Sequence, residues 1–367
     1  MTFRLVRHPT RDADFGSLLE TLLVSACATV LVIRTQLWAT NYPQLGGGGI
    51  HIAHLLYGGL FMVIAIGLLL ILLNRSIRRP AAVLGGVGFG FFIDELGKFI
   101  TSDNNYFFKP AAALIYLVFV AMYLTIRALE RRRGLTQLEL LANALDLTAE
   151  AARHDLDVRE KRRALAMLDQ VDPANPMLAP VRTMLVSLNA IEPGPPAWPS
   201  RAALRCRDAY LDFAEQPRFN PLVTVVIAVW AVVSMFLTFE LVLSIGLHLG
   251  GAAHGAVSDD LDQLSVLNWA SLASSTTSGV LVVVGLVRLR AGERLDAYRW
   301  FERALLVSIF VTRTFSFVES QFGAVFGLSI DLLLLISVGL MTKGERQRES
   351  SVLRPADAQL PIGELAR

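Results

Sequence analysis

The sequence predicts an all-α integral membrane protein, with about eight transmembrane helices as two parallel four-helix repeats and a small cytoplasmic helical domain between them. Three observations lead there. Of 367 residues 53% are hydrophobic and only 18% are charged, more apolar than a soluble domain usually is. The apolar residues gather into long unbroken runs, and arginine falls on alternate loops between them.

The runs lie near 16–38, 50–73, 81–101, 108–127, 221–246, 265–288, 303–319 and 324–341. Each is about long enough to cross a ~30 Å hydrocarbon core once tilt and interfacial aromatics are allowed for. The first begins late, lacks a small-residue cleavage site and is expected to stay as a helix. The third contains Asp94, Glu95 and Lys98. A charge at a helix centre costs ~3 kcal/mol, whereas each large apolar residue returns about 0.3–0.6, so this helix needs partners inside a bundle. The third and seventh runs would equally suit re-entrant or unwound segments.

Orientation follows the arginines. Arg4, Arg7 and Arg11, the turn with Arg75, Arg78 and Arg79, the run Arg131 to Arg133, the loop from Arg288 to Arg303, and Lys343 with Arg346 all precede or follow apolar runs on one side. The loops at 39–49, 102–109, 247–264 and 320–323 hold a single Lys109 and no arginine. Both termini are therefore expected in the cytoplasm. The formal charge of +2 is the usual surplus of such a protein, and nothing points to nucleic acid. Cys27 falls in the first run and Cys206 in the expected cytoplasmic segment, so they cannot meet as an extracytoplasmic disulfide and read as ordinary thiols.

Four regions are expected: 1–128 and 220–343 as transmembrane repeats, 129–219 as the cytoplasmic helical domain, and 344–367 as a flexible tail. Helical spacing in LTQLELLANALDLTAEAA, KRRALAMLDQV and PVRTMLVSLNAI carries the domain, and Pro193, Pro195, Pro196 and Pro199 interrupt it before a last helix near 201–215. Its plain role is a folded linker under the bundle; it could also dock a cytoplasmic protein partner. The repeat rests on FFIDELGKFITS at 91–102 set against IFVTRTFSFVES at 309–320, an offset that also places Gly67 on Gly285. Four spans per half return the chain to the same side, so the repeats are expected to be parallel.

The candidate site is the set of ionisable residues within the runs. Gly86, Gly90 and Asp94 are spaced by four, which puts small residues and a carboxylate on one stripe that another helix can approach. Asp94 and Lys98 have ion-pair spacing, and the repeat alignment sets Glu95 against Arg313 as a second candidate pair. Arg34, Glu240 and Asp331 lie at comparable depth, toward the extracytoplasmic side, and suggest one polar cavity that binds an ion or polar ligand. His51 and His54, one helical turn apart, could hold a divalent metal together with Asp94 and Glu95; no other cofactor is indicated. The glycine run at 46–49 lacks the Lys-Ser/Thr of a phosphate loop. The hydroxyls of SLASSTTSGV at 271–280 read as helix-joining groups, which leaves the second half the less equipped of the two.

GFGFFIDELGKFITSDNNYFFKP, followed by AAALIYLVFVAMYL, resembles a stretch of an uncharacterised family of bacterial multipass membrane proteins, over roughly 50–127. The resemblance implies the bacterial inner membrane and brings no activity. Three functional readings follow from the residues. The first is transport or conduction of a small ion or polar solute across the lipid bilayer. The alternative is a metal-dependent membrane-embedded enzyme working near the outer leaflet, and the third is a structural or sensor protein.

Overall fold

The computed structural model describes residues 10–40, 54–96, 110–131, 134–153, 156–192, 198–250 and 266–352. Among them the only departure from helices and turns is an isolated bridge between Asp157 and Ile191. The chain divides into two compact units, Met1–Pro196 and Ala197–Arg367. That boundary falls inside the segment expected to be one cytoplasmic domain.

The first unit holds α1 (Phe15–Ala39), α2 (His54–Ile71), α3 (Arg78–Asp94), α4 (Ala111–Arg131), α5 (Gln137–Ala152), α6 (Val158–Leu168) and α7 (Leu178–Ser187). Helix α3 packs between α1 and α2, and α4 lies on α1. Glycine makes this close. A Cβ on Gly90 would sit 2.6 Å from Thr29 Cβ and 2.7 Å from Ala26 O on α1, and one on Gly88 would sit 2.7 Å from Gly58 O on α2. The stripe Gly86, Gly90, Asp94 therefore faces α1, as its spacing predicts.

Helices α5 to α7 build a small core of their own around Leu140, Ala144, Leu147, Leu168, Val181 and Leu185. Two capping boxes start α5 and α6, Thr136 with Glu139 and Asp157 with Glu160, each satisfying backbone N–H groups that a helix start leaves open. This layer is clamped to the membrane helices. Arg75, in the turn between α2 and α3, reaches Asp14 at 2.6 Å, Asp146 at 2.5 Å and Asp12 at 3.4 Å, while its backbone N–H donates to Glu150 Oε1 at 3.0 Å. Arg78 adds Asp12 at 2.5 Å and Asp146 at 3.1 Å, and Arg163 on α6 pairs with Asp14. Asn143 of α5 holds the chain ahead of α1, accepting from the Ala13 N–H and donating to Arg11 O, both at 2.8 Å.

The second unit holds α8 (Trp198–Ala214), α9 (Phe219–Gly250), α10 (Val266–Arg290), α11 (Arg294–Val307), a π turn at Ser308–Thr312, α12 (Arg313–Ser320) and α13 (Ala324–Val352). Its core runs through Phe219, Ile227, Val282, Phe301, Leu334 and Val338. Helix α8, the expected last helix of the cytoplasmic domain, belongs here: Tyr210 and Phe213 meet Phe219 edge to face, and Tyr210 Oη lies 2.6 Å from Ser337 Oγ. The expected tail is helical as far as Val352.

Among the described residues four helices are long and apolar enough to cross a membrane: Phe15–Leu37, Ala111–Glu130, Leu272–Arg290 and Gln321–Gln347. Arg201–Ala214 with Phe219–Val233, bent by 96°, meets that standard as a pair and would make five. The described parts of the other expected spans do not meet it. Helix α3 has 17 residues and ends on Asp94, α2 has 18, and the seventh run is divided by the π turn. The aligned glycines also differ, since a Cβ on Gly67 would meet open space whereas one on Gly285 would strike the Phe301 ring at 2.5 Å.

Candidate functional site

Each unit contains a buried arginine–aspartate pair near one end of its helices. In the first, Arg34 on α1 donates Nε to Asp94 Oδ1 at 2.6 Å and Nη2 to the Asp94 carbonyl at 2.9 Å. The Asp94 side chain has no exposure and that of Arg34 has 15%. Glu95, beside it at the end of α3, is fully buried. The carboxylate expected to pair with Lys98 thus takes Arg34; Lys98 lies outside the described residues.

The second pair sits in a richer setting. Arg313 opens α12 directly after the π turn, where its N–H bonds back to Ser308 O. Its Nε donates to Asp331 Oδ2 on α13 at 2.6 Å, Ser308 Oγ donates to the same oxygen at 2.8 Å, and Trp230 Nε1 on α9 donates to Oδ1 at 3.1 Å. Asp331 is fully buried with three donors, a full set for a carboxylate held away from water. The guanidinium is closely packed. Its Cζ is 5.6 Å from the Trp230 ring centroid, and a Cβ on Gly327 would sit 2.6 Å from Cζ.

Beside this pair is a cavity of about 150 Å³. Ser275 and Ser278 of α10, Ser308 and Thr312 of the π turn, and Arg313 with Asp331 form its polar wall; Ile227, Val282 and Leu334 are among its apolar lining. Three hydroxyls are committed: Ser308 to Asp331, Ser278 to Ala304 O at 3.0 Å, and Thr312 to Ser274 Oγ at 3.2 Å. A π turn places its side chains off the α-helical register and is often found where a helix lines a functional site. The second half, expected to be the less equipped, therefore carries a polar cavity beside a buried ion pair. The hydroxyls of 271–280 both join helices and line this space.

Of the remaining expected site residues, Glu240 lies on α9 with its side chain outside the described residues. His54 opens α2, its side chain likewise outside, and His51 lies wholly outside. Among the described residues no group of three metal-ligating side chains occurs. Arg313 has Asp331 as its carboxylate, so its charge is met within its own unit.

Sequence reasoning passed over Trp230, Ser308 and Gly327. A signal for one of them was present: Gly327 precedes Asp331 by one turn, as Gly90 precedes Asp94. Trp230 and Ser308 carry no such mark, because a lone indole or hydroxyl in an apolar run has no pattern of its own.

No family model, curated protein or solved structure matches the chain.

Proposed function

We propose that the protein spans the bacterial inner membrane eight times, as two parallel halves of four helices with both termini in the cytoplasm, and carries a small ion or polar solute. The observation that carries the transport reading is the polar cavity of the second unit, with its buried Arg313–Asp331 pair set behind a π turn. Intramembrane charges that line an internal space mark ligand paths more often than plain bundle contacts.

Two further features support the eight-span arrangement. The clamp of Arg75 on Asp12, Asp14 and Asp146 joins the start of α1, the turn between α2 and α3, and α5, so an even number of crossings separates them. In the second unit, Arg294 at the start of α11 reaches Glu345 near the end of α13 at 3.7 Å, which is the same parity. Large apolar side chains are also bared along α2 and α9, as lipid contact requires: Leu60, Val63 and Leu70 on one, Val225, Val229 and Val232 on the other. Helix α2, at about 27 Å by its rise per residue, reaches across a thin bilayer.

The test is flux in proteoliposomes. Wild-type protein should support movement of a small ion down its gradient, and Asp331→Asn, purified to a normal folded yield, should abolish or sharply reduce it. Equal flux through empty vesicles, wild type and variant would remove the transport reading.

A further inference from the structure

We propose that the cavity of the second unit holds a small planar oxyanion, of the carboxylate, nitrate or bicarbonate kind, on the Nη groups of Arg313 and the hydroxyl of Ser275. The inference rests on the transport reading and names the ligand class of the same site. It starts from which groups are already engaged. The hydroxyls of Ser278, Ser308 and Thr312 all donate within the protein, and Asp331 accepts from three donors.

What remains around the space is a set of donors. Arg313 gives its Nε to Asp331, and its Nη1 and Nη2 donate to no residue among those described. Its side chain is only 13% exposed and lines the cavity. Ser275 lines the same space and likewise has no hydrogen-bond partner among the described residues. Uncommitted donors with engaged acceptors call for a ligand that accepts, and a planar guanidinium edge matches a planar oxyanion with two parallel bonds.

Size and charge bear on the class. About 150 Å³ is room for several waters, so it admits an anion of a few heavy atoms. Asp331 already balances the charge of Arg313, so the site offers hydrogen bonds and no net positive charge. Each negative charge on a ligand then adds to its cost, and a monoanion is the most the site suits.

The full chain in detergent can be titrated with sodium nitrate and sodium formate, with sodium gluconate at equal ionic strength as the bulky control, and thermal unfolding followed. Nitrate and formate should raise the unfolding temperature saturably and gluconate should not. Arg313→Lys keeps a cation for Asp331 but loses the planar edge, and should abolish the response. Ser275→Ala, which breaks no bond within the described structure, should weaken the apparent affinity by about tenfold, the usual scale for one hydrogen bond to a charged group. A response identical for nitrate and gluconate, or unchanged in Arg313→Lys, overturns the proposal. Proteoliposome flux separates the two claims: binding without flux retains the oxyanion site and removes transport, and cation flux without nitrate binding does the reverse.

Discussion

Arg313 packs directly against Gly327: the position a Cβ would take on that glycine is 2.6 Å from the guanidinium carbon. The contact limits where the guanidinium can be, because the Trp230 ring is also close and Asp331 takes its Nε. Gly327→Ala should therefore push Arg313 off Asp331 and cost about 1–3 kcal/mol, as overpacking in a filled site usually does. Unfolding in detergent measures it. An alanine variant with wild-type stability and wild-type flux would show that Arg313 has room to move.

The first pair offers a cleaner measurement of coupling. Asp94→Asn and Arg34→Gln each break a buried ion pair from one side, and each should destabilise by about 3–5 kcal/mol. The double variant should cost much less than the sum. Strict additivity in the double-mutant cycle would mean that the two side chains do not depend on each other.

Two capping glutamates in the α5–α7 layer should respond to pH in opposite ways. The Glu139 carboxyl is held far below the usual range, first by its hydrogen bond from the Arg11 side chain and then by the Thr136 backbone N–H. Its stabilisation is present above the unfolded carboxylate pKa and is lost as pH falls through the lower folded value. Glu160 is pushed up, first by burial, with Asp157 and Glu150 adding repulsion against the pull of Arg75 and the Asp157 N–H. Its ionised form costs stability above the folded pKa, a cost relieved as pH falls toward the unfolded value. At neutral pH, Glu139→Gln should lower the unfolding temperature measurably while Glu160→Gln should leave it unchanged or raised. The reverse order would show that burial, not the Arg11 contact, governs both.

Topology can be read chemically. With Cys27 and Cys206 replaced, a single cysteine at Ser258 should react with an impermeant thiol reagent added to intact cells, and one at Thr136 should react only after lysis. Labelling at Thr136 in intact cells would invalidate the eight-span arrangement.

Helix content and the apolar runs were legible in the sequence, because each depends on local composition or on a period of one helical turn. The stripe Gly86, Gly90, Asp94 was legible too: spacing by four gives a helix face, and that face meets α1. Whether a given carboxylate takes a neighbour on its own helix or an arginine from another was not. The arginine that Asp94 takes comes from α1, and the close approach that the glycines allow brings it there. The arginines at 75 and 78 marked a side of the membrane in the sequence; in the fold they are buried or half-buried ion-pair partners that clamp the helical layer. The cavity beside Arg313 belongs entirely to tertiary structure. It needs an indole from α9, hydroxyls from α10, a π turn and a glycine on α13 at one place, and no period along a single chain records a meeting of separate helices.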